Sequence, residues 1–319
     1  MCARAKETTL RFYKERLLRV LVEIQQRLDE PMRLEELAAL ACISPYHFHH
    51  VFTGMVGESL AVHNRRLRLE RAAWRLKLNR VPVVQIAMEA GYQTHEAFSR
   101  AFRGSFGMSP TQFRTRNGVN SKIHASSGVH FRADAKPGTF RTGRLGGKIM
   151  HVTVKHQRPL RVAFMRHVGP YNQVGKTWDR FCMILGKEGL LGGDAHFIGI
   201  CHDDPAVTPR HRIRYDACVT VDGRFRAAGE VGVQTVAGGD HAVLTHFGPY
   251  EKLGESYAKL LGEWLPRSGR MLRSSPCFEI CLNSPENTDP KDLITDIHAP
   301  LETRQPQRTD EKDPHARQN

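Results

Sequence analysis

Apolar residues recur every three or four positions along the first third of the chain, the spacing of helices that bury one face. This pattern predicts seven helices between residues 11 and 116. Good N-capping residues mark where several of them begin: Ser44 before Pro45, Ser59, Thr94, and Ser109 before Pro110. The first third is therefore predicted to be all-α.

From residue 149 the pattern changes to short runs in which apolar and polar residues alternate, as is typical of strands. It predicts helices at 171–188 and 250–265, and strands at 149–155, 161–167, 215–221, 234–237, 241–247 and 278–282. The tripeptide Gly-Pro-Tyr at 169–171 recurs 79 residues later, at 248–250, and Trp178 then corresponds to Tyr257. A strand–helix unit that occurs twice predicts a pseudo-twofold α+β domain.

These patterns divide the chain into four parts. We predict an all-α domain over 8–117, a flexible basic linker over 118–148, an α+β domain over 149–303 and a disordered polar tail over 304–319. The net charge of +14 lies in the first half: residues 1–120 carry +8, residues 121–157 carry +6, and the remainder is neutral. A basic domain joined to a neutral one indicates that one half binds a polyanion, although a merely soluble basic protein would have the same charge.

Other classes of protein are excluded by what the chain lacks. No run approaches the roughly 18 apolar residues of a membrane-spanning helix, and the N-terminus has no apolar segment typical of a secretion signal. The seven cysteines are scattered, with no CxxC pair to suggest zinc and no disulfide framework. We therefore expect a reduced, cytoplasmic protein without membrane contact, metal or other cofactor.

Two pairs of short helices, at about 34–54 and 83–106, have the form of helix-turn-helix units. The helix between them, predicted at 59–78, would span about 30 Å at about 1.5 Å per residue. Successive major grooves on one side of B-DNA lie about 34 Å apart. A single chain is therefore able to place two reading helices in adjacent grooves.

Polar side chains that face away from the apolar stripes of these helices are candidates for DNA contact. Those expected to reach base edges are Tyr46, His49, His50, His95, Glu96, Ser99 and Arg100. Those expected to contact phosphates are Arg65, Arg66, Arg68, Arg71, Arg103 and Arg114. The alternative is that all of them form an ordinary solvated face.

The neutral half offers a different candidate. Glu279 is the one charge in the strand predicted at 278–282, where it shares a face with Cys277 and Cys281. An enclosed carboxylate requires a cation, and the aromatic side chains around the repeat would suit a cation that is also hydrophobic. Alternatively, Glu279 faces solvent on an open sheet and the aromatic residues are ordinary core.

Residues 31–116 resemble the DNA-binding domain of the AraC/XylS family of transcription regulators, most specifically in the stretch VVQIAMEAGYQTHEAFSRAFRGSFGMSPTQFR. The resemblance implies a seven-helix domain whose two recognition helices bind adjacent major grooves of double-stranded promoter DNA. It assigns base contact to the seven residues named above. It also implies RNA polymerase as a further partner.

Residues 149–303 resemble the GyrI-like effector-binding domain of drug-sensing and right-origin-binding-type regulators. The doubled Gly-Pro-Tyr carries this resemblance, together with the stretches YAKLLGEWLPRSGR, SPCFEICLNSP and DLITDIHAPL. It implies two strand–helix units around a groove that binds small molecules, often cationic and hydrophobic. The groove carboxylate of the family corresponds to Glu279, and the candidate groove walls are Trp264, Tyr250, Phe278, Tyr171 and Trp178.

We therefore expect a transcription regulator with an all-α tandem helix-turn-helix domain followed by an α+β, pseudo-twofold, GyrI-like domain. A small effector bound in the second domain would change how the first acts on DNA. Two alternatives stay open. The second domain could be a hydrolase in which Glu279 and Tyr250 form an acid/base pair, or a protein-interaction platform that binds no ligand.

Overall fold

The computed structural model describes residues 2–78, 80–136, 138, 140–143, 151–192, 195–203 and 208–303. The tail that we predict to be disordered, 304–319, lies outside the described residues, as does the part of the predicted linker at 144–148. Within the described ranges, no helix is both long enough and apolar enough to span a bilayer.

The first 116 residues are helical where they are described, with seven helices as predicted, although the first begins at Cys2, nine residues before the predicted start at residue 11. The helices are α1 (Cys2–Gln26), α2 (Leu34–Leu40), α3 (Pro45–Val56), α4 (Leu60–Leu78), α5 (Val83–Glu89), α6 (His95–Phe106) and α7 (Pro110–Thr115). The predicted caps are confirmed, since the side chains of Ser44, Thr94 and Ser109 each accept a backbone N–H from the first turn of the helix that follows. Gly57 and Gly107 end α3 and α6 in the left-handed conformation, with φ of 84° and 72°.

The two helix-turn-helix units do not share one core. The second unit has its own, in which Phe98, Phe102 and Phe113 pack with apolar residues of α4 and α5. The first unit instead packs into a larger core that also contains apolar residues of the second half, among them Tyr257, Leu260 and Leu261. The first unit and the second half are therefore joined by a continuous buried contact.

The stretch that we predict to be a flexible linker is held to the helical half by several of its described residues. The backbone N–H groups of Ile123 and Phe131 donate to the carboxylate of Glu70 at 2.9 and 2.7 Å. Val129 is fully buried in the core that includes α1 and α3. The composition of the stretch does not predict these contacts. The donors are backbone N–H groups, which do not depend on the side chain, and their acceptor Glu70 lies about 50 to 60 residues away in the chain.

The second half contains an antiparallel sheet of eight strands in the order β1-β6-β8-β7-β3-β4-β2-β5. The strands are β1 (Val152–Gln157), β2 (Leu160–Val168), β3 (Phe197–Cys201), β4 (Arg214–Thr220), β5 (Gly232–Val236), β6 (Gly239–Phe247), β7 (Phe278–Cys281) and β8 (Ile294–Pro300). Its helices are α8 (Val174–Lys187), α9 (Leu253–Ala258), a π-helical segment (Lys259–Trp264) and α10 (Leu265–Ser268). The α+β fold class is confirmed, although β3 and β8 were missing from the sequence prediction.

The duplication is visible in matching hydrogen bonds. In the first copy, His167 Nδ1 lies 2.9 Å from Thr177 Oγ1, and His167 Nε2 lies 3.3 Å from the Pro170 carbonyl. In the second copy, His246 makes the same two contacts, with Ser256 at 2.8 Å and with the Pro249 carbonyl at 3.2 Å. Each histidine ties a strand to the helix that follows, so the repeated Gly-Pro-Tyr turn belongs to a repeated structural unit.

Candidate functional site

The second reading helix, α6, presents its predicted contact residues to solvent. Phe98 and Phe102 are fully buried, so the opposite side of the helix faces outward. On that side Glu96 and Arg100 are exposed, while His95 and Ser99 are half-buried. The guanidinium of Arg100 and the carboxylate of Glu96 therefore face solvent rather than the protein core.

The first reading helix, α3, is placed differently from the prediction. His49 and His50 are only 8% and 6% exposed, and Tyr46 is half-buried among core residues of the second half. The ring of His50 stacks on Tyr257 with centroids 5.0 Å apart. In this conformation Tyr46 and His50, two of the three side chains that we assigned to base contact from α3, contact Tyr257 of the second domain, and the third, His49, is buried. None of the three is therefore exposed for contact with DNA.

Of the six arginines predicted to contact phosphates, some are exposed and others bind groups of the protein itself. Arg65 and Arg103 are exposed. Arg66 is buried between Glu58 and Glu70, at 2.6 and 3.1 Å, so its predicted role in phosphate contact is not met in this structure. The other three are half-buried and bind protein acceptors: Arg68 the carbonyl of Leu28, Arg71 the carboxylate of Asp29, and Arg114 the carbonyl of Val81.

In the second domain, the centre of the site is a pair of residues on neighbouring strands. Glu279 of β7 lies opposite Gly199 of β3. The two positions correspond in the two copies, where the offset has grown from 79 to 80 residues: Asp216 and Asp296 lie opposite equivalent positions of β2 and β6, and their other neighbours are residues 200 and 280. They therefore lie at the pseudo-twofold axis of the sheet. A Cβ on Gly199 would lie 2.3 Å from the hydroxyl of Tyr215, so a glycine is required for this ring to lie over the strand.

Glu279 is enclosed, with 7% of its surface exposed. Its Oε1 accepts hydrogen bonds from the hydroxyl of Tyr257 at 2.9 Å and from the thiol of Cys201 at 3.5 Å. Burial raises the pKa of Glu279, and these two hydrogen bonds only partly oppose the rise. No cationic side chain pairs with this carboxylate among the described residues, which leaves a place for a cation from outside the chain.

Aromatic residues lie around this site, where the family resemblance implies a groove, but not all of those that we predicted do so. Trp178 donates from Nε1 to the hydroxyl of Tyr215 at 3.3 Å, and Tyr171 packs edge-on against Tyr215 with ring centroids 5.7 Å apart. The hydroxyl of Tyr250 points to the thiol of Cys281 at 3.8 Å. Trp264 is half-buried in the core shared by the two domains.

Phe278 does not belong to the groove. Successive residues of a strand point to opposite faces of a sheet, so Phe278 faces away from Glu279. It stacks there on His298, with ring centroids 4.6 Å apart. The assignment of Phe278 to the groove wall is therefore corrected.

The residues that do contact the carboxylate were missed as site residues. Tyr257 and Cys201 bind Glu279, and Tyr215 covers Gly199. The repeat held the signal for Tyr257, because it corresponds to Trp178, a residue that we did place in the groove. Cys201 and Tyr215 belong to strands that are brought to Glu279 only by the sheet order, which the sequence pattern does not encode.

Comparison with known proteins finds a family for each half. Residues 37–116 match a helix-turn-helix domain model, and residues 150–302 match the GyrI-like small molecule binding domain. A solved structure of the EcmrR C-terminal domain matches 49% of this chain and 100% of its own, with 18% identity and a TM-score of 0.40.

Curated relatives match over the helical half. The right origin-binding protein of Escherichia coli (strain K12) is 30% identical over 95 residues, which are 30% of this chain and 33% of that protein. The chain thus spans about a third of that relative's length. The regulatory protein SoxS of Escherichia coli (strain K12) is 30% identical over 93 residues, which are 29% of this chain and 87% of that protein. The chain therefore belongs to the AraC-type helix-turn-helix family, and its second half is a GyrI-like small molecule binding domain.

Proposed function

We propose that the protein is a transcription regulator that binds promoter DNA through α6 and α3 and that responds to a hydrophobic cation bound at Glu279. Its site of action is then the cytoplasm, and its further partner is RNA polymerase. The observation that carries the proposal is the buried carboxylate of Glu279, which lies among aromatic side chains without a cationic partner among the described residues. Aromatic faces and a carboxylate together suit a lipophilic cation.

Replacing Glu279 with Gln is expected to weaken binding of such a cation about tenfold to a hundredfold, because a buried ion pair is lost while the shape and the bond from Tyr257 are kept. Tetraphenylphosphonium, titrated by calorimetry, is a suitable probe. Glu255→Gln, an exposed change on α9, is the matched control and should bind as the wild type does. Since the pKa of Glu279 is raised, binding by the wild type should strengthen as the pH rises and the carboxyl ionises.

The same titration separates the alternatives. If the wild type and Glu279→Gln bind the cation equally well, the carboxylate of Glu279 takes no part in binding. Binding by neither would favour a protein-interaction platform, and hydrolysis of a bound ester or amide would favour an enzyme. In the structure it is Tyr257, not Tyr250, that donates to Glu279, so the acid/base pair that we considered from the sequence is not formed by direct contact.

Replacing Arg100 with Ala is expected to cost about 1–3 kcal/mol of binding free energy on the preferred DNA and to relax the preference at one base pair. The preferred duplex is obtained by selection from a randomised pool with the wild-type protein. Arg103→Ala is the matched control, because this exposed residue is assigned to phosphate and should weaken all sequences alike. If Arg100→Ala also weakens all sequences equally, Arg100 reads no base.

A further inference from the structure

The first reading helix and the sensor domain make an unusually close contact. Gly54 of α3 faces Ala258 and Gly262 in the segment where α9 passes into the π-helix. A Cβ on Gly54 would lie 2.2 Å from the Ala258 carbonyl oxygen, and a Cβ on Gly262 would lie 2.4 Å from the Gly54 Cα. Because no side chain separates them, the two backbones touch, and the contact tolerates no larger residue at either glycine.

The N-terminal end of α3 reaches the groove itself. The ring of Tyr46 lies 6.4 Å from that of Tyr257, edge to face, and it packs against core residues on both sides of the groove. Burial raises the pKa of the Tyr46 phenol well above its usual value, and the neighbouring thiols of Cys201 and Cys277 raise it further, against an opposing effect of Tyr257. Tyr46 therefore contacts Tyr257, the residue whose hydroxyl donates to Glu279.

We propose that α3 is the resident occupant of the effector groove. Tyr46 takes the place beside Tyr257 that an aromatic group of the effector would take, so the groove holds either the reading helix or the effector. The ligand that fits is then one with an aromatic ring of about the size of the Tyr46 side chain and a positive charge that reaches Glu279. The part of this inference that concerns the ligand rests on the proposed function.

Two forms of the chain follow from this exclusion. In the closed form, which the structure shows, α3 is docked: Tyr46 and His50 contact Tyr257, and His49 is buried. In the open form α3 is free, and both the groove and the reading helix are accessible. Because the effector and DNA each bind the open form, each tightens binding of the other by the same factor.

The glycine contact gives a test that changes neither DNA-facing nor ligand-facing residues. In Gly262→Ala the new methyl group forces α3 away, while alanine suits a helix better than glycine does. This variant should bind the selected duplex about tenfold or more tightly than the wild type does, since the closed form no longer competes. The control is Gly254→Ala on the same helical segment, where an added Cβ meets no atom within 4 Å, and it should bind as the wild type does.

Hydrogen exchange gives a second measurement that needs no DNA. Amides of α3 (46–56) should exchange faster in Gly262→Ala, and also in Gly54→Ala, which disturbs the same contact from the other side. They should not exchange faster in Gly254→Ala. Saturation of the wild type with tetraphenylphosphonium should have the same effect on α3 and should tighten DNA binding to the level of Gly262→Ala. The ligand should add nothing further to Gly262→Ala.

The outcomes are separable. The proposal would be overturned if Gly262→Ala had the same hydrogen exchange in α3 and the same DNA affinity as the wild type. It would also be overturned if tetraphenylphosphonium bound the wild type without increasing hydrogen exchange in α3. If the compound binds Gly262→Ala more tightly than the wild type, competition with α3 is supported directly. If it binds neither, the proposed ligand class fails, and the glycine variants still decide whether docking of α3 controls DNA binding.

Discussion

Replacing Glu70 with Ala is expected to lower the free energy of unfolding by about 3–5 kcal/mol, the usual cost of removing one partner from a buried ion pair. Glu70 is 2% exposed, and its Oε1 accepts from Arg66 Nη1 at 3.1 Å and lies 2.9 Å from His130 Nδ1. It also accepts the backbone N–H groups of Ile123 and Phe131. The substitution leaves these partly buried donors without their acceptor. It also leaves the buried Arg66 with Glu58 as its one remaining carboxylate among the described residues.

Urea unfolding followed by circular dichroism measures the loss. Glu96→Ala, an exposed change on α6, is the control and should stay within about 0.5 kcal/mol of the wild type. Limited proteolysis measures the local effect, because the segment 118–136 should become accessible to cleavage once Glu70 no longer binds it. A loss below about 1 kcal/mol, with the segment still protected, would contradict this account.

Replacing Asp216 with Ala is expected to destabilise the second domain by about 1–3 kcal/mol, less than the loss at Glu70, because Asp216 is buried but its partner Arg166 is 44% exposed to solvent. Asp216 is fully buried on β4 and binds Arg166 through both oxygens, at 2.7 and 2.9 Å. His202 and Gln234 also contact its Oδ2, at 2.8 and 3.0 Å. Alanine would leave a guanidinium and two further polar groups without their partner.

The duplication supplies the control for this experiment. Asp296 on β8 corresponds to Asp216, but it is 9% exposed and its contacts are weaker: a hydrogen bond from Thr245 at 2.6 Å and a distant ion pair with Lys155 at 3.8 Å. Asp296→Ala should therefore cost clearly less than Asp216→Ala. Equal losses in urea unfolding would show that the ion pair with Arg166 adds nothing.

The pH dependence has a definite sign. Burial alone would raise the pKa of Asp216, but hydrogen bonds from Arg166 and His202 outweigh it and hold that pKa well below its usual range. A carboxylate with a depressed pKa stabilises the fold above the pKa of the unfolded chain and loses that effect as the pH falls. The difference in unfolding free energy between the wild type and Asp216→Asn should thus persist at pH 5 and shrink below about pH 4.

Local signals in the sequence were sufficient for the helices and for most strands. The bounds and the buried side of α6 are predicted by three local signals: Thr94 caps its first turn, Phe98 and Phe102 form its apolar stripe, and Gly107 ends it. Strand β3 was missed because its residues Phe197–Cys201 are almost all apolar, so no alternation of apolar and polar residues marks them. Strand β8 was missed because its polar residues Asp296 and His298 are buried, whereas a sequence pattern places polar residues at the surface. Long-range pairing, not local preference, places both strands.

The site was predictable only in part, for the same physical reason. Alternation along β7 correctly placed Glu279 on a face with Cys277 and Cys281 and showed that an enclosed carboxylate needs a partner. Helical periodicity correctly separated the outward side of α3 from its apolar side, but an outward side can meet solvent, DNA or another domain. The residues Tyr46 and His50 meet the second domain, and only the tertiary structure shows this.

The pairing of Gly199 with Glu279 affects both the number of ligand molecules that the second domain binds and their orientation. A duplicated fold offers a guest two equivalent poses related by half a turn. Here one copy supplies a negative charge and the other supplies bare backbone, so the two poses differ in energy. The domain should accordingly accept a single guest in a single orientation, and a symmetric dication should gain nothing from its second charge.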